Sequence, residues 1–184
     1  MRIIGGKWRG LHLAEVGAGD PTAHLRPTSD RVREAIFNLL INGGYGNPVE
    51  GARVLDLFAG TGALGLEALS RGAEALTLVD DGGAARGLIA RNIALCRCEA
   101  THLRLDATRL PGTGGAGFGL VFVDPPYGKG LGEAAMVSAL AAGWLGPEAL
   151  VVWEEGAALP APVGFEQVDQ RRYGDTYVTI LRVA

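Results

Sequence analysis

The amino-acid sequence predicts an α/β fold built on a doubly wound, mostly parallel sheet of seven strands. Between residues 53 and 154, five short apolar runs typical of buried strands alternate with segments of helical periodicity. Residues 165–183 are predicted to form two further strands that turn at Gly174-Asp175, and this hairpin adds one antiparallel strand. Strand–helix alternation of this kind places helices on both faces of the sheet.

The first 50 residues are predicted to form an extension that packs on a main domain at 51–184. Two short apolar runs flank Gly5-Gly6 within residues 2–13 and indicate a small β-hairpin, and the Gly/Pro-rich residues 14–27 indicate a loop. An amphipathic helix follows, for which Thr28, Ser29 or Asp30 is the cap. Its apolar positions have helical spacing: Val32, Ala35, Ile36, Leu39 and Leu40.

The main domain repeats strand and helix in order. We expect strands at 53–58, 75–80, 101–105, 120–124 and 149–154. We expect helices at 63–71, 84–96 and 132–143. The carboxyl ends of parallel strands meet at one edge of a sheet, so the residues that follow these strands are the candidate site residues.

Composition narrows the classes of protein. The chain has 184 residues, of which 48% are hydrophobic and 20% charged, and this suits one domain with a sizeable core. The sequence contains no long apolar run and no signal-peptide pattern, so we expect no membrane span and a cytoplasmic location. Two neighbouring cysteines, Cys96 and Cys98, and three scattered histidines make a poor ligand set, so we expect no metal.

A glycine-rich loop follows the first predicted strand. Gly60, Gly62 and Gly65 form G-x-G-x-x-G between strand and helix, which lets the backbone approach a cofactor at a helix N-terminus. With Asp56 and Phe58 the stretch reads D-x-F-x-G-x-G, which resembles the pattern of class I methyltransferases. That resemblance places Asp56 beneath the methionine end of S-adenosylmethionine and favours this cofactor over a dinucleotide.

An acidic residue follows each of the next three predicted strands. Asp80 has the position from which a carboxylate accepts hydrogen bonds from both ribose hydroxyls, with Asp81 as the alternative. Asp106 is placed to accept from an adenine amino group, and Asp124 closes the fourth strand. Three such carboxylates beside a glycine loop indicate an adenosine cofactor.

The motif Asp124-Pro125-Pro126-Tyr127 is the predicted reacting centre. The Asp124 carboxylate and the Pro125 carbonyl, held by a stiff backbone, are two acceptors for one amino group. An exocyclic base amine is a poor nucleophile because its lone pair is delocalised, and accepting its two protons makes that lone pair more available. The Tyr127 ring can stack on the base. The pair of N1–H and N2 donors on guanine favours guanine slightly over adenine as the acceptor of the methyl group.

The chain resembles the RsmD family of methyltransferases over nearly its whole length. The matching pieces are MRIIGGKWRG, LRPTSDRVREAIFN, LDLFAGTGALGLEALSRGA, FVDPPY and RRYGDTYVTILR. The resemblance implies a class I methyltransferase fold and transfer from S-adenosylmethionine, leaving S-adenosylhomocysteine. It implies N2 of guanine 966 in 16S ribosomal RNA as the target, within an assembled or assembling 30S particle. We expect a monomer.

The resemblance also implies an RNA-binding role for the N-terminal region. Residues 1–40 hold six Lys/Arg against four Asp/Glu, although the whole chain has a net charge of −3. Arg26-Pro27-Thr28 is expected to close over the cofactor or the target base. The residues expected to contact phosphates or, for the tryptophan, to stack on a base are Lys7, Trp8, Arg9, Arg26 and Arg33.

Two other enzyme classes share parts of this pattern. A DNA adenine-N6 or cytosine-N4 methyltransferase carries the same reacting motif but needs a target-recognition insertion, for which 184 residues leave little room. A nicotinamide-linked oxidoreductase shares the glycine loop but needs an acid at the hydride site, and the sequence offers no convincing candidate. A non-catalytic RNA scaffold has no use for both Asp124 and the glycine loop.

Overall fold

The computed structural model describes residues 1–17 and 28–184 and confirms the predicted α/β architecture. The helices are α1 (Asp30–Asn42), α2 (Ala63–Ser70), α3 (Gly83–Cys96) and α4 (Leu131–Ala141). The strands are β1 (Arg53–Leu57), β2 (Ala75–Val79), β3 (Thr101–Leu103), β4 (Phe118–Val123), β5 (Leu145–Glu155), β6 (Phe165–Tyr173) and β7 (Thr176–Val183). Their order in the sheet is β3-β2-β1-β4-β5-β7-β6, and only β7 runs antiparallel to its neighbours.

Each face of the sheet has its own hydrophobic core, as double winding requires. Alternate strand residues such as Val54 and Leu55 enter opposite cores, because successive side chains point to opposite faces. Buried residues of α1, α2 and α3 belong to the core that contains Val54, and those of α4 to the core that contains Leu55. The central strands are therefore covered on both faces, and ligands have access only at the strand ends.

The buried stripe of α1 differs from the predicted one by about one position. Ser29, one of three expected caps, accepts a hydrogen bond from the backbone N–H of Val32. The buried residues are Ile36, Phe37, Leu40 and, unexpectedly, Arg33. These four also have helical spacing, but the arginine conceals that pattern in a reading based on apolar residues alone.

The predicted N-terminal hairpin is present but short, and its tip differs. The backbone N–H groups of Ile3 and Leu13 donate to the carbonyls of Leu11 and Met1 on either side of the antiparallel bridge between Arg2 and His12, and a short 3-10 helix (Gly6–Trp8) forms the tip. The backbone N–H groups of Ile4 and Gly5 donate to the carboxylate of Glu67 on α2 rather than to a facing strand. A side chain of the main domain thus holds the segment between the paired residues and the tip.

The extension packs on the main domain, as expected. Ile3, Leu13 and the apolar face of α1 belong to the same hydrophobic cluster as β1, β2 and β4. Strand β5 begins four residues earlier than predicted. Leu145 pairs with Phe118 ahead of a bulge, and the Gly-Pro sequence that follows Leu145 is not typical of a strand. None of the helices in residues 1–17 and 28–184 has the length and hydropathy needed to cross a membrane.

Candidate active site

A cavity of about 680 Å³ opens at the carboxyl edge of the sheet, where β1, β2 and β4 end. It brings together most of the predicted cofactor and reacting residues. The predicted residues that line it are Asp56, Phe58, Gly60, Asp80, Asp124, Pro125 and Tyr127. Thr28, Asp81 and Lys129 also line it.

The glycine loop has the tight geometry that its sequence predicts. Phe58 and Gly62 have φ values of 58° and 81°, and Gly62 stands directly before the first turn of α2. A Cβ on Gly65 would lie 2.5 Å from Leu76 Cδ1 and 3.1 Å from Asp56 Oδ2, so only glycine fits there. The Gly65 N–H donates to Asp56 Oδ2 at 2.9 Å, which fixes that carboxylate beneath the loop.

Burial and neighbouring charges raise the pKa of the Asp56 carboxyl. It is 1% exposed, and burial raises its pKa well above the ordinary value, although the bond from Gly65 opposes that shift. The neighbouring Asp124 and Asp80 raise the pKa further, because like charges disfavour ionisation. A bound cation would relieve this repulsion.

Asp80 joins the two loops that form the cofactor side of the cavity. Its Oδ2 accepts from the N–H of Gly60 at 2.9 Å, and its Oδ1 accepts from the N–H of Gly82 at 2.8 Å. Asp81 also lines the cavity but is exposed. Asp80 is therefore the better positioned of the two, with oxygen lone pairs to spare for a ligand.

The structure does not bring Asp106 into the cavity. Strand β3 ends at Leu103, and exposed Asp106 instead caps the 3-10 helix Ala107–Arg109. Its Oδ1 accepts from the N–H and the hydroxyl of Thr108 at 2.9 and 2.7 Å, and these bonds lower its pKa. An acidic residue near a strand end can thus be a local cap, which is its role here.

Asp124 lies directly after β4, with part of its surface open to the cavity. Its Oδ2 accepts a 2.8 Å hydrogen bond from the Thr28 hydroxyl. Burial raises the pKa of Asp124 to about 7, the charge of Glu155 adds to the shift and the Thr28 bond opposes it. The carboxylate can therefore change its protonation state near neutral pH.

Tyr127 is held by the C-terminal hairpin. Its hydroxyl lies 3.3 Å from Thr176 Oγ1 at the start of β7, and its ring lies against Gly156. Glu155 Oε1 accepts from the N–H groups of Gly128 and Gly156, both at 2.9 Å, and so fixes the loop that follows Tyr127. Burial raises the pKa of the Tyr127 hydroxyl, so it stays protonated at neutral pH.

Sequence reasoning missed Glu154 as a residue of this site. It is 1% exposed, and the Thr28 hydroxyl lies 3.2 and 3.3 Å from its two carboxylate oxygens. Burial raises its pKa well above the ordinary value, and Asp124 adds to the shift. A readable signal existed, since two glutamates end the apolar run ALVVWEE at the same edge as Asp124.

Three of the predicted RNA contacts lie far from the cavity. Lys7, Trp8 and Arg9 are at the tip of the extension, where the Trp8 N–H donates to Ser70 Oγ at the end of α2. Since α2 starts at the glycine loop and has eight residues, this tip lies about 12 Å away, toward the opposite edge of the sheet. Lys7 Nζ stands 4.4 Å from the centre of the Trp8 ring.

Arg33 contradicts the expectation that it contacts phosphate. Its side chain is 0% exposed, with Nη2 2.9 Å from Asp30 Oδ1 and Nε 3.6 Å from Glu67 Oε2. The guanidinium also donates to the backbone carbonyls of Arg2 and Thr28. It is a structural cation that joins the extension to α2. Arg26 and Pro27 lie outside the described residues.

Within residues 1–17 and 28–184, no group of three or more His, Cys, Asp or Glu side chains is arranged to hold a metal ion. Cys96 is buried with a free thiol, and its pKa rises to about 11 because burial disfavours the thiolate. Cys98 is also free.

Comparison with known proteins gives a consistent result. Residues 1–182 match the family model described as Conserved hypothetical protein 95. The chain is 40% identical over 155 residues to Ribosomal RNA small subunit methyltransferase D of Escherichia coli strain K12, covering 84% of this chain and 74% of that one. It is 34% identical over 160 residues to the protein of the same name from Haemophilus influenzae, covering 84% and 78%.

A solved structure described as putative methyltransferase yhhF from Escherichia coli has a TM-score of 0.82 and 35% identity, covering 100% of this chain and 97% of that one. These matches favour a methyltransferase over the nicotinamide-linked alternative and confirm the fold class predicted from the sequence. The chain belongs to the RsmD family of ribosomal RNA small subunit methyltransferases.

Proposed function

We propose that this protein transfers a methyl group from S-adenosylmethionine to the exocyclic N2 of a guanine in small-subunit ribosomal RNA, at the family target guanine 966. One observation carries the proposal: Asp124 places its carboxylate at the mouth of the glycine-loop cavity, with Oδ2 held by Thr28. Among residues 1–17 and 28–184, the hydrogen bond that the Asp124 side chain accepts is on Oδ2. An amino group that enters the cavity can donate to Oδ1.

The residues of the cavity fit the cofactor. Asp56 is buried beside Asp124, which is partly open to the cavity. The charge of Asp124 raises the pKa of Asp56, and both charges raise the pKa of Glu154, so a cationic ligand is favoured there. Asp80 holds the two loops and offers its remaining lone pairs to the ribose hydroxyls. When bound, the cofactor supplies an already activated methyl group, and no metal is required.

The protein has three tasks in this reaction. It aligns the acceptor nitrogen with the methyl group and excludes water. Asp124 accepts an N2–H hydrogen bond and stabilises the positive charge that the nitrogen gains, and then takes its proton. The Tyr127 ring, fixed by Thr176 and Gly156, provides an aromatic surface for the base, worth about 1–3 kcal/mol.

The RNA must present its target base unpaired or flipped out, because guanine N2 is enclosed in a paired helix. Lys129 and Arg172 are exposed cations at the carboxyl edge, and Arg172 lies over the ring of Tyr177 at 5.5 Å. We propose that the RNA nucleotides next to the target base contact this edge, and that Lys7 and Arg9 contact more distant phosphates. The substrate is an assembled or assembling 30S particle, met by the monomer in the cytoplasm.

The test is methyl transfer from labelled S-adenosylmethionine to three substrates: naked small-subunit RNA, small subunits from a strain that lacks the family enzyme, and duplex DNA. Nucleoside mass spectrometry should identify N2-methylguanosine in the RNA alone. Asp124→Ala should lose at least 100-fold in rate, about 3 kcal/mol, while the exposed Asp175→Ala serves as a matched control. Methylated adenine or cytosine in DNA, or equal labelling by Asp124→Ala, would refute the proposal.

A further inference from the structure

The hydroxyl of Thr28 lies between two buried carboxylates. Thr28 Oγ1 is 2.8 Å from Asp124 Oδ2, and 3.2 and 3.3 Å from the two oxygens of Glu154. These residues come from three separate parts of the chain: the segment before α1, the end of β4 and the end of β5. The contacts are therefore made by the tertiary fold.

A hydroxyl has one proton to donate, and both neighbours are carboxylates. The shorter distance assigns that proton to Asp124. Glu154 then faces the lone pairs of the Thr28 oxygen, and an ionised Glu154 would bring oxygen lone pairs together without a proton between them. The contact is favourable only when Glu154 is the donor.

We propose that Glu154 is kept protonated and donates to Thr28, so that Thr28 donates to Asp124 and aims its carboxylate at the acceptor amine. This inference rests on the proposed methyl transfer. Thr28 and Glu154 are positioning residues, since neither needs to touch the substrate. The relay keeps Asp124 Oδ2 occupied and leaves Oδ1 for the incoming amino group.

The charges around Glu154 agree with a neutral side chain. Burial is the main cause that raises the pKa of Glu154, Asp124 after β4 and Asp56 in β1 raise it further, and a bond donated by Thr28 to Glu154 would oppose them; Glu155 raises the pKa of Asp124 in turn. Arg33 on α1 is the facing cation and favours ionisation, but its guanidinium is engaged by Asp30 and Glu67. Tyr127, also near, stays protonated.

The relay predicts how the pKa of Asp124 changes when Thr28 is substituted. The Thr28 bond lowers the pKa of Asp124, so its loss should raise that pKa. A hydrogen bond to a charged group of ordinary strength corresponds to about one to two pH units. Thr28→Val keeps the shape but removes the donor, and Thr28→Ser restores it.

The experiment measures single-turnover methylation of small subunits, and S-adenosylmethionine affinity, between pH 5.5 and 9. Thr28→Val should move the acid limb of both profiles upward by about one to two units, and Thr28→Ser should return it to the wild-type position. Glu154→Gln, which keeps a donor, should retain more than about a tenth of the rate, while Glu154→Leu should lose about 100-fold. Thr101→Val on exposed β3 is the matched control.

The outcomes separate two failures. An unmoved acid limb in Thr28→Val would overturn the relay, because it shows no bond to Asp124. Equal losses in Glu154→Gln and Glu154→Leu would overturn it as well, because they show that a hydrogen-bond donor at position 154 does not preserve the rate. If the wild-type protein methylates no RNA, the proposed function fails. The affinity profile is measured without RNA, so a shift there in Thr28→Val would still support the relay.

Discussion

Replacing Glu67 by alanine should unfasten the N-terminal extension from the main domain. Glu67 is 0% exposed on α2, and its carboxylate accepts from the N–H of Ile4 at 2.9 Å and from that of Gly5 at 2.9 Å. It also accepts from Arg71 Nε at 2.9 Å and lies 3.6 Å from Arg33 Nε. Three donors would lose their acceptor together, and Arg33 would lose an ion-pair partner.

The loss in free energy of unfolding depends on the donors that stay buried without Glu67. Arg33 is 0% exposed, and removing one partner of a buried ion pair costs about 3–5 kcal/mol. Each unsatisfied N–H adds about 1–3 kcal/mol if water stays out. Water can enter the space left by the side chain, and Asp30 still holds Arg33, so we expect a net loss of about 3–5 kcal/mol. That is a large part of the stability of an ordinary domain.

The assay is urea unfolding at equilibrium. With an m-value of about 2 kcal/mol per molar urea, the midpoint of Glu67→Ala should fall by about 2 M. Hydrogen exchange should speed up at the amides of Ile4 and Gly5. Exposed Glu74→Ala should change the free energy of unfolding by less than about 0.5 kcal/mol. A loss below about 1 kcal/mol in Glu67→Ala, with unchanged exchange at both amides, would refute this account of how the extension is held.

Four further results are expected, three at the cavity and its rim and one at the tip of the extension. Affinity for S-adenosylmethionine, measured by calorimetry, should rise up to about tenfold between pH 6 and 8 as Asp124 ionises. The rise should be smaller for S-adenosylhomocysteine, whose sulfur is uncharged. Equal rises for the two ligands would contradict a charge effect. Gly65→Ala should weaken cofactor binding at least tenfold, because its Cβ meets Leu76 and crowds Asp56. Arg172→Ala should raise KM for small subunits without changing cofactor affinity. Arg9→Ala should weaken binding to small subunits, also without changing cofactor affinity. A loss of cofactor affinity in either variant would place that arginine in the cofactor site.

The same raised pKa has a consequence for stability. The folded protein holds a proton on Asp124 to about pH 7, whereas an unfolded aspartate loses it near pH 4. The native state therefore binds more protons over that window, and Asp124 alone makes the fold less stable as pH rises from about 4 to 7. Cofactor binding, which favours the ionised form, offsets that cost.

The elements that sequence reasoning placed correctly are those set by local patterns. Apolar runs predicted β1, β2 and β4 because these strands are buried on both faces. The loop from Asp56 to Gly65 was predictable because its backbone angles and close contacts tolerate few residue types. Asp124 was predictable because the strand that carries it ends at the cavity edge.

The misplaced residues are those whose partners are distant in the sequence. Arg33 was assigned to the surface because charge is normally solvated, and its burial is explained by Asp30 together with two distant partners, the Arg2 carbonyl and Glu67, 34 positions later. The conformation of the hairpin tip was missed for the same reason, since Glu67 takes the N–H groups of Ile4 and Gly5. Glu154 gains its role from Thr28 across 126 positions. The prediction for Asp106 was wrong for the opposite reason, because this carboxylate bonds locally to Thr108 as a helix cap and does not face the cavity.

Burial of Arg33 also changes the argument from charge. The basic surplus of residues 1–40 was six against four, but Arg33 is neutralised inside the protein and adds nothing to a surface field. Lys7 and Arg9 lie at the edge opposite the cavity, and the chain as a whole carries −3. Among the described residues, Lys129 and Arg172 are the cations that we assign to phosphates near the target base, so we expect a modest electrostatic affinity for naked RNA. We therefore expect an assembled particle, which already presents the base, to be a better substrate than free RNA.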